Sequence, residues 1–146
     1  MIVPVTAARA PAWAALCAAL WPGNAIDDLL AEYADGLHPH EFLYCPDAPA
    51  DAAPVAFLSL SLRKDYVEGA SGSPVGYLEG IYVAPDHRRQ GIARALVAFA
   101  RAWTRDQGAT QLASDCALKN AESRAFHRAA GFAETNIVVC FLIDAD

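Results

Sequence analysis

The residues best suited to chemistry in this chain lie at positions 88–91, where two arginines, a glutamine and a glycine follow one another. An apolar segment, 75–83, precedes them and predicts a strand, and apolar residues at helical spacing follow them and predict an amphipathic helix. A turn between a strand and a helix brings several backbone N–H groups to one point, with the positive end of the helix dipole behind them. The pattern therefore predicts an anion site, although neither the P-loop motif nor the Gly-x-Gly-x-x-Gly motif occurs.

Small and basic residues in this turn fit a phosphate group. Gly91 lacks a Cβ where the backbone would approach the anion most closely, and Ala93 is small for the same reason. Arg88 and Arg89 add positive charge. On this pattern alone, a helix that merely begins with these residues is the alternative.

Two carboxylates are candidates for proton transfer or for binding a cation. Glu79 lies inside the apolar segment 75–83, and burial there would suit it to accept a proton; the alternative is an ion pair with an arginine that orders the sheet. Asp115 is expected to end a strand at the centre of the sheet, across a cleft from Glu79, and to hold an ammonium group. The alternative is an aspartate that orders its own turn.

Length and composition fit one globular domain over residues 1–146. The formal net charge of -6 argues against a nucleic-acid partner and suits a cationic substrate. The four cysteines lack metal-binding spacing, so we expect no metal and take them as reduced and mostly buried. No apolar run is long enough to span a bilayer and no signal peptide is recognisable, so we expect a cytoplasmic protein without a membrane partner.

Hydrophobic periodicity and the positions of glycine and proline predict the element order β-α-α-β-β-β-α-β-α-β-β. The last two strands are expected at 132–134 and 137–143, and loops at 46–54 and 64–74. Such an order is typical of an α/β domain with a mixed sheet.

Residues 88–93, Arg-Arg-Gln-Gly-Ile-Ala, resemble the acetyl-CoA signature of the Gcn5-related N-acetyltransferase (GNAT) superfamily. Further matches to the spacing of that superfamily are Val83-x-Pro85, Asn120-Ala121 and Gly131-Phe132. The resemblance covers about residues 55–141 and implies acetyl-CoA as co-substrate. It also implies a GNAT-type α/β fold, with a mixed, mostly antiparallel central sheet flanked by helices on both faces.

The same resemblance implies roles for the residues around the signature. The amides of residues 89–93 would hold the CoA pyrophosphate, and the backbone of Ile81 and Val83 would pair with the pantetheine arm like an added strand. The Val83 N–H would polarise the thioester carbonyl. The full set of expected cofactor-binding residues is Ile81, Tyr82, Val83, Arg88, Arg89, Gln90, Gly91, Ile92, Ala93 and Asn120.

A more specific resemblance is to the aminoglycoside 6′-N-acetyltransferases. It is carried by Leu20-Trp21-Pro22, Tyr66-Val67-Glu68-Gly69, Ser73-Pro74-Val75, the strand residues 78–83 and Ala113-Ser114-Asp115. It implies direct acetyl transfer in a ternary complex to the 6′-amine of an aminoglycoside, a polycationic amine, and a homodimer with the C-terminal strands at the contact. The residues it implies for substrate binding are Trp21, Tyr66, Glu79, Asp115 and Glu134, with Glu79 also proposed as base.

His127 lies four residues before Gly131, where the superfamily often has a tyrosine. It is the candidate proton donor to the leaving thiolate, and a helix-surface histidine is the alternative. Departures from the aminoglycoside enzymes at Gly23-Asn24, Asn136 and Cys140 leave the range of drugs open. Two other functions fit the sequence: acetylation of another amine (a polyamine, an amino acid or a protein N-terminus) and a non-catalytic acyl-CoA-binding module.

Overall fold

The computed structural model describes residues 1–47 and 52–145, so the predicted loop at 46–54 lies partly outside the described residues. The strands are β1 (Ile2–Pro4), β2 (Glu41–Tyr44), β3 (Ala56–Arg63), β4 (Val75–Val83) and β5 (Leu112–Ser114). The helices are α1 (Ala10–Leu20), α2 (Ile26–Ala34), α3 (Ile92–Asp106) and α4 (Ala121–Ala129), and a short 3-10 turn, Pro85–His87, joins β4 to α3. Up to α4, the order of strands and helices is the predicted one.

The five strands form one sheet in chain order, from β1 to β5. The pairs β1–β2, β2–β3 and β3–β4 are antiparallel, and the pair β4–β5 is parallel. Helices α1 and α2 pack on one face around the buried side chains of Trp13 and Leu43. Helix α3 packs on the other face, where Leu58 and Leu96 are buried. This mixed, mostly antiparallel sheet with helices on both faces confirms the predicted fold class.

A β-bulge interrupts β4 at Glu79. The register between β3 and β4 moves from Ser59 opposite Gly80 to Leu60 opposite Leu78, so Glu79 has no partner residue on β3. A bulge bends its strand and redirects the side chain of the extra residue. The irregularity therefore decides where the Glu79 carboxylate points.

The bulge also changes which residues of β4 direct their backbone groups toward the β5 side. Before the bulge these are the even-numbered residues, and after it they are the odd-numbered ones. Before the bulge, the Gly76 N–H donates to the Gln111 carbonyl, beside β5, at 3.0 Å. After it, the Ala84 N–H donates to the Val55 carbonyl, on the β3 side, at 2.8 Å. Because backbone groups alternate in direction along a strand, Ile81 and Val83 direct theirs away from β3.

Residues 132–145 have no regular secondary structure, so the strands predicted at 132–134 and 137–143 are wrong for this chain by itself. The segment has the apolar residues typical of a strand, but a strand also needs a neighbouring strand to pair with. The apolar side chains of this segment are exposed, with Phe141 at 92% and Leu142 at 97%. None of the described helices combines the length and apolar character needed to cross a bilayer.

The cysteines divide into two pairs by exposure. Cys17 and Cys45 are buried, whereas Cys116 and Cys140 are exposed, so the expectation of mostly buried cysteines is half wrong. All four are free thiols. In the described part of the chain, no three His, Cys, Asp or Glu side chains lie close enough together to hold a metal ion.

A buried carboxylate ties α1 to the sheet. Glu41 is 5% exposed and accepts hydrogen bonds from Trp13 Nε1 at 2.8 Å and Ser59 Oγ at 2.5 Å. Burial raises the pKa of Glu41 to about 7 from an ordinary 4.5, and the two hydrogen bonds only partly oppose that rise. Between about pH 4.5 and about pH 7, the folded protein therefore holds a proton on Glu41 that the unfolded chain has lost.

Glu41→Gln should flatten the pH dependence of stability. In the native chain the shift from 4.5 to about 7 removes up to about 3 kcal/mol of stability as pH rises through that window. Glutamine cannot ionise, so the variant should lose none of this stability between about pH 5 and about pH 8 in urea unfolding. Glu122→Gln, at an exposed glutamate on α4, is the control. Parallel pH curves for the Glu41 variant and the native chain would contradict the expectation.

Candidate functional site

β4 and β5 diverge from each other after a short paired segment. They pair only over Gly76–Leu78 and Leu112–Ser114, and among the described residues no strand covers the edge of β4 beyond Leu78. We call this gap the fork. Ile81 and Val83 direct backbone groups into it because of the bulge, so one extended chain can add to β4 there.

Six consecutive amides, those of residues 89–94, lead from the loop into α3. Among residues 1–47 and 52–145, no backbone carbonyl accepts a hydrogen bond from them; the first regular bond of the helix is from the Ala95 N–H to the Gly91 carbonyl, at 3.0 Å. Arg89 and Gly91 have left-handed backbones, with φ of 62° and 83°. Successive turns of this kind direct amides to one point, and the helix dipole adds positive potential. These amides, which we call the cradle, fit a phosphate group.

The side chains of the loop brace it. Arg88 Nε donates to the Val83 carbonyl at 3.0 Å, and its guanidinium carbon lies 5.7 Å from the centroid of the Tyr82 ring. Gln90 Nε2 donates to the Asp86 carbonyl at 3.2 Å. The cradle is thus tied by side chains to the end of the strand that lines the fork.

The Glu79 carboxylate lies on the surface, held by two residues of β3. Its side chain is 33% exposed, so the prediction of a buried carboxylate is wrong, because the bulge directs it out of the sheet. Arg63 donates to it through Nε at 3.1 Å and Nη2 at 2.8 Å, and Ser61 Oγ donates at 2.5 Å. The ion pair that the sequence left as the alternative is therefore present, beside an exposed carboxylate.

A tyrosine connects the two predicted acidic residues. The Tyr77 hydroxyl donates to Asp115 Oδ1 at 2.8 Å, and the Arg63 guanidinium carbon lies 3.3 Å from the centroid of the Tyr77 ring. Burial, and then the hydrogen bond to Asp115, raise the pKa of Tyr77 to about 12. Asp115 follows β5, which is an edge strand among those described, so its predicted place at the sheet centre is wrong. Asp115 is connected to Glu79 only indirectly, through Tyr77 and Arg63, among the contacts of the described residues.

Trp21 lies over β4 next to the bulge. A Cβ on Gly80 would come within 2.4 Å of the Trp21 ring, so only glycine leaves room for the indole at this position. The ring also packs on Phe57, with centroids 5.6 Å apart, and the residue stays 36% exposed. We call the surface formed by Trp21, Arg63, Tyr77, Glu79 and Asp115 the acceptor surface.

His127 lies at the closed end of the fork. Its Nδ1 donates to the Ser123 carbonyl at 2.7 Å, and its Nε2 lies 2.8 Å from Ser114 Oγ. Ser114 Oγ in turn donates to the Leu78 carbonyl at 3.1 Å, at the last paired position of β4 and β5. Both ring nitrogens are therefore engaged, and the Ser114 hydroxyl is interposed between His127 and β4.

Comparisons with known proteins give the family. The acetyltransferase (GNAT) family profile matches residues 11–132. The chain belongs to this family. It is 47% identical over 139 residues to an aminoglycoside N(6′)-acetyltransferase type 1 of Stenotrophomonas maltophilia (93% of this chain, 88% of the relative), and 45% identical over 131 residues to one of Serratia marcescens (89% of each).

Solved structures of related GNAT enzymes superpose on the whole chain. The crystal structure of aminoglycoside 6′-N-acetyltransferase AAC(6′)-Ih from Acinetobacter baumannii matches with a TM-score of 0.92 and 37% identity, covering 100% of this chain and 99% of that one. AAC(6′)-Iy, in complex with the bisubstrate analogue CoA-S-monomethyl-acetylneamine, matches with a TM-score of 0.88 and 34% identity, covering 99% and 98%.

Within this GNAT chain, three further predicted site residues have their hydrogen-bond partners outside the acceptor surface. Asn120 caps α4, accepting the Ser123 N–H at 3.0 Å. Tyr66 is 81% exposed and its hydroxyl donates to Glu68 at 3.0 Å. Glu134 accepts from Arg124 and Arg128, each at 2.8 Å, and these hydrogen bonds lower its pKa to about 2. Glu134 therefore pairs with two arginines of α4, and its role in substrate binding stays a prediction.

Four residues of this GNAT site were missed by the sequence reasoning: Ser61, Arg63, Tyr77 and Ser114. The alternation of β3 indicated that Ser61 and Arg63 share a polar face, but it named no partner for them. Their partner is Glu79, and that pairing depends on the bulge, for which Gly80, a glycine inside a strand pattern, was the available signal. Tyr77 and Ser114 required the β4–β5 register.

Proposed function

We propose that this chain transfers the acetyl group of acetyl-CoA to the 6′-amine of aminoglycoside antibiotics, by direct attack in a ternary complex. One observation carries the proposal: the unpaired amides of the cradle directly follow an open strand edge that is flanked by Glu79 and Asp115. An anion site joined to an open strand edge suits a CoA thioester, and nearby carboxylates suit a cationic amine. The acceptor is supported by the names of the relatives.

The cradle and the fork divide the binding of acetyl-CoA between them. The amides of 89–94 would hold the pyrophosphate, and the backbone of Ile81 and Val83 would bind the pantetheine arm. The Val83 N–H would then lie where it can polarise the thioester carbonyl. Acetyl-CoA supplies the acetyl group and the leaving thiolate.

The acceptor surface would bind and deprotonate the amine. Glu79 holds the ammonium and takes its proton, directly or through water, so that the neutral amine attacks. Asp115 binds a second ammonium, and Trp21 and Tyr66 offer aromatic surfaces to the sugar rings. Residues 75–93 contain no cysteine, which supports direct transfer without an acyl-enzyme.

His127 is the proposed proton donor to the thiolate, with Ser114 as the intervening hydroxyl. His127→Ala should lower kcat about 100-fold, in the range of general acid catalysis, and leave the KM for acetyl-CoA within about twofold. Steady-state kinetics monitored by thiol release would measure both constants. A kcat close to that of the native chain would assign His127 to packing beside Phe126 and Phe132.

Mass spectrometry of kanamycin or tobramycin incubated with acetyl-CoA and the protein tests the proposed reaction. One added acetyl group is expected, placed by fragmentation on the 6′-amino sugar. The matched control is an analogue with a hydroxyl at the 6′ position, which should stay unmodified. If thiol is released with a polyamine or an amino acid but not with any aminoglycoside, the substrate of the chain would be that other amine. Acetyl-CoA binding without thiol release for any amine would make it a binding module.

We also propose that the chain forms a homodimer through its C-terminal segment. Ile137, Val138, Val139, Phe141, Leu142 and Ile143 are each at least 61% exposed. An apolar run of this length is seldom left in water by a monomer, and β5 has one edge without a strand among those described. Light scattering after size-exclusion chromatography should give twice the chain mass, and Val139→Lys with Phe141→Lys should shift it toward one chain. A monomeric native protein would contradict the proposal.

The proposed location of the reaction is the cytoplasm, where acetyl-CoA is available in bacteria. The four free thiols are consistent with a reducing compartment. Fractionation of expressing cells, followed by the acetylation assay on each fraction, should recover the activity with the cytosolic fraction. Recovery in the periplasmic fraction would contradict this location.

A further inference from the structure

Glu79 is surrounded by a connected set of side chains that extends across three strands. Arg63 and Ser61 on β3 donate to its carboxylate, and the Arg63 guanidinium stacks on the ring of Tyr77 on β4. The Tyr77 hydroxyl continues the set to Asp115, after β5. The set thus joins the two carboxylates of the acceptor surface through an arginine that the proposed reaction does not use.

We propose that Arg63 is a positioning residue of the acceptor surface, which fixes the Glu79 carboxylate for the incoming amine. This inference rests on the proposed function and adds a specificity-determining residue to it. Oε1 of Glu79 receives three hydrogen bonds, from Ser61 Oγ and from Nε and Nη2 of Arg63. Oε2 receives one, from Arg63 Nη2 at 2.9 Å. Oε2 therefore retains capacity to accept a hydrogen bond from an amine.

Glu79 needs such support because of its position. It is the extra residue of a bulge and its side chain is 33% exposed, so packing restricts its torsions less than those of a buried side chain. A two-point guanidinium contact restricts both the position and the plane of the carboxylate. Placement of a reacting group by such contacts is one of the larger contributions to enzymatic rates.

Arg63 is suited to this role because it is itself held. Its guanidinium carbon lies 3.3 Å from the centroid of the Tyr77 ring, and that ring is anchored at its far end by the hydrogen bond to Asp115. Lysine offers a single charged point and cannot reproduce either the fork of donors or the flat stack. The contacts of Arg63 with Glu79 and Tyr77 therefore depend on the flat, forked shape of the guanidinium, and a positive charge alone cannot make them.

The charge of Arg63 has a separate effect. It places a cation on a surface that is proposed to bind a polycation, so it weakens the attraction of that surface for the substrate. Removing the charge should therefore lower the KM for the aminoglycoside while the loss of positioning lowers kcat. Simple damage to the fold would raise KM and lower kcat together.

The experiment compares the native chain with Arg63→Ala, Arg63→Lys and Arg101→Ala, an exposed arginine on α3. Steady-state rates are measured with kanamycin at saturating acetyl-CoA, together with Tm and the KM for acetyl-CoA. Arg63→Ala should lower kcat about 10- to 100-fold and lower the kanamycin KM up to about fivefold. Arg63→Lys should lower kcat similarly at an unchanged kanamycin KM. The Arg101 variant should match the native chain.

Two results would overturn the proposal: a kcat within about twofold of native for either Arg63 variant, or a rise in both KM values with a lower Tm. Native turnover with unaffected Arg63 variants would reject the role of Arg63 and leave the proposed function intact. Absence of turnover in the native chain would reject the proposed function. In that case, calorimetry of kanamycin binding tests the proposal for Arg63 without any turnover. Tighter binding to Arg63→Ala than to the native chain supports the position of Arg63 on the acceptor surface, and equal or weaker binding overturns it.

Discussion

Glu79→Gln should lower kcat for the aminoglycoside by about 10²- to 10⁴-fold, the range measured when a general base is removed. Glutamine has nearly the same shape, but it cannot take a proton and it gives up the ion pair with Arg63. The pH–rate profile should also change in shape, because an ionising group has been replaced by an amide. Kinetics over about pH 5 to about pH 9 provide both measurements.

The control for this prediction is Glu32→Gln, the same change at an exposed glutamate on α2. It should leave both kcat and the profile as in the native chain. A reduced kcat with an unchanged profile for Glu79→Gln would remove Glu79 as the base and leave it as a binder of the ammonium. A kcat near the native value would remove Glu79 from both roles.

Gly91→Ala should weaken acetyl-CoA binding about 10- to 100-fold. The φ of 83° at Gly91 costs about 1–2 kcal/mol for a residue with a Cβ, and relief of that strain would turn the adjacent amides away from the point where they converge. Loss of one hydrogen bond to a charged group costs about 1.5–3 kcal/mol, which corresponds to this range of Kd. Calorimetric titration with acetyl-CoA measures the change.

Gly108→Ala is a matched control for this substitution. Gly108 lies just beyond the other end of the same helix, with φ of 79°, and a Cβ would meet no atom within 4 Å at either glycine. Both variants should therefore lose similar stability in urea unfolding, and only Gly91→Ala should lose affinity. Equal effects of the two variants on the Kd would mean that the cradle is not the acetyl-CoA site.

The two predictions test the two parts of the proposed site, the acceptor surface and the cradle. The bulge at Glu79 directs the carboxylate to the acceptor surface and directs the backbone of Ile81 and Val83 into the gap. A single irregularity in β4 thus connects the proposed amine site with the proposed thioester site.

The sequence by itself determined the local features of this protein. Helical periodicity defined α3, and the glycine and small residues at 91 and 93 defined the turn at its start, because these depend on neighbours within a few positions. The capping of α4 by Asn120 is local in the same sense, because the Asn120 side chain accepts from the Ser123 N–H three residues later. The family followed from motifs of this local kind.

The tertiary structure decided how those features meet. The exposure of Glu79, its pairing with Arg63 and the edge position of Asp115 depend on the register of β4 with β3 and β5, which the residue pattern does not encode. The segment 137–143 has the composition of a strand, yet it forms none within the described chain, because pairing is a property of two strands and not of one. Local chemistry is therefore readable from the sequence, whereas the partners of each group are set by the packing of distant segments.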